Sequence, residues 1–370
     1  MAFKNVFWLV AFAFIVPFEA FTQMYRFGGQ TVVNARGLGM GNMEVLSPTG
    51  ADALFSNPAN LAIIKGQNFT AGLRFFAGSF TVEANGISND GSFPLHPKID
   101  HLAYAQPFMI PNSPVNLIGS IGFRTYYDMG FKVKSGDARV SSRGGFNTLS
   151  IGAGIQIGDR ADLGAALNFG VLGNGKYVEE YQSFKTTTKI SYSGSFIQLG
   201  FRYHFTPAIL IGGMYRPGFR LKQKTRTESG QTQKTTFDLP AIFGLAGQYS
   251  VSPQFSIIVE LQNRPFEDFE VDGRSYFGNI NNGRVVRIGG EYRGAVIWRF
   301  GFFSESLLQT DYQDEDPVTL NGFTAGTAFS VEPFTIDLFV QYSQFTVSER
   351  SNSETTNRFF KFGMAVSKGQ

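Results

Sequence analysis

From about residue 66 to the C-terminus, apolar and polar residues alternate with period two, a pattern that a two-faced β-strand produces and a helix does not. Between Phe196 and Phe205, Ile197, Leu199, Phe201, Tyr203 and Phe205 share one face. Gln198, Gly200, Arg202 and His204 share the other. The runs Leu149 to Ile157, Phe255 to Gln262, Phe334 to Ser343 and Phe360 to Ser367 divide in the same way. A soluble sandwich also alternates, with its apolar face turned to a core. Periodicity alone therefore leaves a soluble and a membrane-spanning sheet open.

The connections separate the two. Short reversals fall at Pro107 to Ser113, Gly158 to Asp162, Phe205 to Ala208, Ser250 to Gln254, Arg293 to Ala295 and Ser330 to Pro333. Between them lie long polar connections near 84–97, 131–144, 174–187, 220–234, 265–282, 304–317 and 347–356. Six short turns and seven long loops join fourteen strands, with both termini on the short-turn side, the arrangement of an outer-membrane barrel. Tyr203, Phe205, Tyr249, Phe255, Tyr292, Phe329 and Phe334 cluster beside the short turns, where an interfacial aromatic girdle belongs. The expected fold is all-β: a transmembrane antiparallel barrel of about fourteen strands over residues 66–370.

The N-terminus is built differently. Lys4, an apolar run from Val6 to Phe18, and small residues at Ala20 and Thr22 read as a secretory signal over residues 1–22. No other stretch reaches the ~18 apolar residues of a transmembrane helix. With 43 glycines, 40 phenylalanines and 16% charged residues, the composition suits a barrel wall. The chain has no cysteine, and its net charge of +3 is too small to imply nucleic acid. Residues 23–65 do not alternate, and a fourteen-strand lumen is too wide for its own side chains to fill. That segment is expected to pack inside as a hatch, with a short helix ending at Asn57 ahead of Pro58.

Three stretches carry a family resemblance: the glycine-rich Ala35 to Asn42, Asp52 to Leu61 with its Asn57-Pro58-Ala59 tripeptide, and Asp238-Leu239-Pro240 running on through Gly247-Gln248-Tyr249 to Ser252-Pro253-Gln254. In these the chain resembles the FadL family of outer-membrane transporters of long-chain fatty acids and aromatic hydrocarbons. The resemblance implies a barrel closed by an N-terminal hatch. Ligand would enter from outside, rest in an apolar pocket and leave sideways through a gap in the wall. The outer connections are shorter than in the larger members. A related branch serves as an attachment component of a Bacteroidetes-type protein secretion system.

Nothing in the chain points to catalysis, so no catalytic residue and no cofactor is expected. His96, His101 and His204 have no zinc-binding spacing, and no serine stands in a Gly-x-Ser-x-Gly elbow. The Gly37, Gly39, Gly41 series lacks the lysine and the strand-before, helix-after setting of a phosphate loop, and reads as a tight-packing element of the hatch. Asn57, Pro58 and Ala59 are expected to form a fixed corner that gates it. Leu54, Phe55, Leu61 and Ile63 are the candidate apolar lining, with Ile64 beside them. Arg124, Arg202, Glu260, Arg287, Glu291, Arg299, Asp337 and Lys361 fall on the polar face, where most would pair across strands in a solvated lumen. Arg124, Arg202 and Arg299 are the candidates for a ligand carboxylate, which suits the arginine fork.

The expected function is passive uptake of hydrophobic small molecules through a plugged, monomeric barrel in the outer membrane of a Gram-negative-type bacterium, with both termini periplasmic. Its partners would be the ligand and membrane lipid. The alternative is an accessory barrel whose loops engage a secretion-system protein. A general porin would lack the hatch. Epitope tags inserted within 220–234 should be labelled on intact cells, whereas tags at Asp159 or Val251 should not; the reverse result overturns this orientation.

Overall fold

The computed structural model describes residues 34–84, 87–109, 116–128, 130–135, 138–181, 184–275, 281–310, 316–350 and 353–368. The expected signal and the first residues of the expected hatch lie outside them. Among the described residues, fourteen antiparallel strands close into a barrel. They are Asn68–Ala84, Ile87–Met109, Asn116–Asp128, Ala138–Ile157, Ala161–Val171, Ser195–His204 and Ile209–Arg216, followed by Ile242–Ser250, Phe255–Arg264, Gly283–Arg293, Ile297–Thr310, Pro317–Val331, Phe334–Arg350 and Ser353–Lys368. The first strand pairs with the last, from Phe69 opposite Lys368 to Ala84 opposite Ser353, so the wall closes on itself.

The two faces are polarised the opposite way from a soluble sandwich. Outward positions such as Leu163, Leu167, Ile197, Leu199, Leu245 and Ile257 are exposed. Inward positions such as Ser150, Gln198, Glu260, Gln262 and Gln341 are buried. An exposed apolar belt around a closed sheet is a bilayer-facing surface, since closure satisfies the backbone groups that hydrocarbon cannot. Tyr203, Phe205, Tyr249, Tyr292 and Phe334 stand exposed beside the short turns as a girdle requires, while Phe255 and Phe329 are half-buried.

Among the described residues, the long connections are mostly strand and not loop. Residues 84–97, 304–317 and 347–356 lie largely in extensions of the wall strands themselves. Elsewhere the chain adds a second sheet: Phe131–Ser135, Asn174–Tyr181, Phe184–Ser193, Phe219–Thr227, Thr232–Leu239, Glu270–Val271 and Arg274–Ser275 join the outer part of Ala138–Ile157. These stretches read as loops because their outward positions are polar. A strand that rises beyond the hydrocarbon faces water on that side, and its polar residues keep the period of two.

Residues Asn34 to Ile64 form a short helix, Ala35–Gly39, and two 3₁₀ turns, Ala51–Phe55 and Pro58–Ile63, nearly all of it buried. They touch all fourteen wall strands, through inward residues four to seven positions from the short turns. Arginine at Leu199 or Ile257 should cost about 2 to 4 kcal/mol of folding stability in lipid, and far less at Val251 in a short turn, measured by denaturant titration in vesicles. Equal costs at the three sites would refute the assignment of the lipid face.

Candidate functional site

The inner segment is shaped by its own caps. The Asn34 side chain accepts from the Gly37 N–H at the start of the helix. Gly41, at φ +80°, and Asn42, at φ 62°, then turn the chain through left-handed backbone, which glycine adopts freely and asparagine tolerates. Asn57 does not end a helix as its place before Pro58 suggests; it starts one. Its Oδ1 accepts from the Ala59 N–H at 3.1 Å, and Pro58 takes the first position, where a missing N–H costs nothing. The fully buried Asn57 also donates from Nδ2 to the Val45 carbonyl at 2.8 Å and to the wall carbonyl of Phe201 at 3.3 Å. One side chain thus ties two parts of the segment to each other and to the barrel.

The wall admits the segment because its inward face lacks side chains where the two backbones meet. A methyl group at Gly164 would lie 2.2 Å from the carbonyl carbon of Pro58, and one at Gly200 would lie 1.9 Å from Asn57 Oδ1. At Gly301 it would lie 2.2 Å from the Gly41 nitrogen, and at Gly289 2.5 Å from the Met40 oxygen. Gly39 meets Gly326 with no side chain on either partner. Gly37, by contrast, is closed in by Met43 and Ser47 of the segment itself. The sequence signal for this seat was available: Gly164, Gly200, Gly289, Gly301 and Gly326 stand on five separate wall strands.

Charged side chains fasten the remainder. Arg36 holds Glu291 with both prongs of its guanidinium, at 2.7 and 2.9 Å, and its third donor reaches the Ser47 carbonyl at 2.8 Å. Glu44 accepts from Gln262 at 2.6 Å and lies 3.4 Å from Arg287, which also pairs with Glu260. Glu260 in turn accepts the backbone N–H groups of Glu44 and Val45 at 2.9 and 2.8 Å. The lumen charges expected to be solvated are mostly buried instead, because the segment occupies the space that water would have filled. Burial and the Asp337 carboxylate push the Asp52 carboxyl, within the segment, up to about 6.

Two of the candidate ligand arginines are already engaged. Arg299 bonds Glu291 at 2.8 Å and also pairs with Asp337, and Arg202 lies 3.6 Å from Asp162. Arg124 differs. It is buried, donates to the Phe55 carbonyl at 2.7 Å, and has no carboxylate partner among the described residues. The sequence reading missed its neighbours. Arg216, equally buried and without a carboxylate partner among the described residues, donates to the Tyr126 hydroxyl, and the two guanidinium groups lie 4.7 and 5.8 Å from the centre of the Tyr126 ring.

Leu54, Phe55 and Leu61 are fully buried and pack with Ala103, Ala105, Ile118 and Ala166. Ile63 turns away, 36% exposed, and leaves that lining. Farther from the short turns the inward face becomes apolar, with Phe146, Phe196, Phe219, Phe237, Phe303, Leu307 and Phe345 in one cluster. Phe196 was legible as part of it, because it shares the parity of Gln198 and not that of Ile197.

The wall is interrupted beside this cluster. Strand Ser195–His204 pairs along one side as far as Ser195, but along the other its ladder stops where Leu199 faces Tyr215. Pro217, which has no N–H to donate, and Gly218 follow. A cavity of about 710 Å³ opens there, lined by outward Leu167, Phe169 and Ile197 and by inward Asn168, Phe196 and Phe219.

No protein-family model matches the chain, and no curated protein matches it in sequence. Solved structures do. A Pseudomonas aeruginosa FadL homologue aligns with a TM-score of 0.65 at 13% identity, over 92% of this chain and 98% of that one. The Pseudomonas putida toluene transporter TodX aligns with a TM-score of 0.64 at 13% identity, over 91% and 98%. The Ralstonia pickettii toluene transporter TbuX aligns with a TM-score of 0.58 at 14% identity, over 91% and 98%. The chain has the fold of these barrels.

If the wall glycines seat the inner segment, Gly164→Ala and Gly301→Ala should dislodge it, because backbone atoms occupy the space a methyl needs. Single-channel conductance in planar bilayers should rise for both. It should not change for Gly247→Ala, where a methyl meets open space. Unaltered conductance in folded Gly164→Ala and Gly301→Ala would rule out the seat.

Proposed function

We propose that the chain is a plugged outer-membrane channel through which hydrophobic small molecules pass by diffusion, long-chain fatty acids among them. The observation that carries this reading is the inward aromatic and aliphatic lining beyond the inner segment, where a water-filled pore presents polar groups. Such a lining exchanges the hydration of an apolar solute for contact with protein, a gain of roughly 25 cal/mol per Å² buried. The solved neighbours include a FadL homologue and toluene transporters, which supports a hydrophobic cargo.

In this reading Leu54, Phe55 and Leu61 form the floor of the chamber. Residues 23–65 act as the plug, with Gly37, Gly39, Gly41 and the Asn57-Pro58-Ala59 corner as its fixed points. Arg124 and Arg216 receive the anionic end of an amphipathic ligand, while the chain of that ligand lies among Phe196, Phe219 and Phe146. The break beside Pro217 lets it leave sideways into lipid without crossing the polar contacts below. No cofactor and no covalent step is required. The chain would be exported by residues 1–22 and work as a monomer with both termini periplasmic.

Proteoliposomes carrying the full chain should accelerate entry of a long-chain fatty acid and of a neutral aromatic hydrocarbon. Arg124→Gln with Arg216→Gln should lower fatty-acid entry about tenfold, the loss of one to two charge-assisted hydrogen bonds, and leave hydrocarbon entry close to wild type. Failure of the folded protein to carry either solute would sink the channel reading in favour of a secretion-accessory barrel.

A further inference from the structure

The second sheet, at the end of the barrel opposite the inner segment, carries an outward cationic face above the lateral break. In strand Phe219–Thr227 the inward positions Phe219, Leu221 and Gln223 are buried, while the outward positions Arg220, Lys222, Lys224 and Arg226 are all exposed. A second line of cations crosses the first. Arg143 stands directly opposite Lys176, Lys176 opposite Lys189, and Lys189 opposite Arg226, so four cations lie in register across four adjacent strands.

Like charges placed directly opposite one another destabilise a sheet, and neighbouring strands are only about 4.8 Å apart. Among the described residues no carboxylate pairs with the row. On this face Asp238 is taken by Arg220 at 2.7 Å, and Glu180 by Lys185 at 2.5 Å. Arg143, Lys176, Lys189, Lys224 and Arg226 have no ion-pair partner among the described residues. They line one groove of about 550 Å³ together with Asn174 and Ser191 and without an acidic residue. The groove begins where the lipid-facing surface ends: the cavity beneath it is lined by Leu167, Phe169 and Ile197 on one side and by Arg220 and Lys222 on the other.

We propose that this groove docks the phosphorylated sugar headgroup of the outer-leaflet glycolipid, lipopolysaccharide, with its acyl chains against Leu167, Phe169 and Ile197. A row of four cations spans about 14 Å at sheet spacing, which suits a headgroup bearing several phosphates better than a single one. Apolar side chains directly below cations match a lipid at both of its ends. The proposal rests on the outward orientation of the second sheet and is independent of what the lumen carries.

The test uses the full chain folded in detergent. Wild type and a Lys176→Gln, Lys189→Gln, Lys224→Gln, Arg226→Gln variant are titrated with purified bis-phosphorylated lipopolysaccharide, and with the same lipid after dephosphorylation, by native mass spectrometry. Wild type should bind the phosphorylated lipid and release it with salt. The variant should bind it about two to three orders of magnitude more weakly, and the dephosphorylated lipid should bind neither. Without lipid the variant should melt no lower than wild type, since like-charge repulsion is relieved; with phosphorylated lipid the order should reverse. The double variant Lys176→Gln, Lys189→Gln serves if the quadruple fails to fold. Equal binding by variant and wild type, or undiminished binding of the dephosphorylated lipid, overturns the proposal. Measured in vesicles without lipopolysaccharide, solute entry in the variant should stay at the wild-type level, so failure of the channel reading is scored separately.

Discussion

Strand Asn68–Ala84 would present a row of unpaired backbone groups to hydrocarbon if Ser353–Lys368 did not pair with it along nearly its whole length. That closure is the condition under which the rest of the chain can exist in a bilayer, where each orphaned N–H or C=O costs several kcal/mol. It joins the two ends of the barrel sequence and so sets the circumference. A circumference of fourteen strands leaves a lumen that side chains cannot fill. Every other feature is a response to that space.

The response near the short turns is to fill it with chain. Wall glycines such as Gly164 and Gly301 remove side chains where the Pro58 and Gly41 backbones approach, and buried ion pairs from Arg36 and Glu44 fix the orientation. Buried ion pairs add little net stability, because desolvation offsets the attraction, yet breaking one by removing a partner costs about 3 to 5 kcal/mol. Here they join the segment to the wall at Glu291 and Arg287, beside the glycine contacts.

Beyond the segment the lumen changes character, from polar groups satisfied by the inner segment to the aromatic cluster around Phe196, Phe219 and Phe303. The ladder breaks beside that cluster, at Pro217, so the cavity lined by outward Leu167, Phe169 and Ile197 reaches inward Phe196 and Phe219. Higher still the same strands show cations to the outside, where the apolar belt has ended. Along one strand path the outward face therefore runs from hydrocarbon-facing Ile197 to water-facing Lys189, while the inward face stays apolar at Phe196, Tyr192 and Ile190. The two faces follow different solvents.

Period-two alternation, six short turns and an unpatterned N-terminal stretch were enough to specify a fourteen-strand barrel with something packed inside it, because those signals are local and the bilayer punishes any other use of them. Alternation even contained the inward aromatics, in the parity of Phe196 beside Gln198. It does not separate a loop from a strand rising into water, since both are polar on the outside, and so 131–144, 174–187 and 220–234 look like loops along the chain. Nor could it distinguish among the arginines. Arg299 and Arg124 look alike in sequence, and only the folded barrel brings Asp337 to one and leaves the other beside Tyr126 and Arg216. The in-register row of Arg143, Lys176, Lys189 and Arg226 is likewise invisible along the chain, because the pairings of Arg143 with Lys176 and of Lys189 with Arg226 join strands far apart in sequence, whose register is decided by pairing in space.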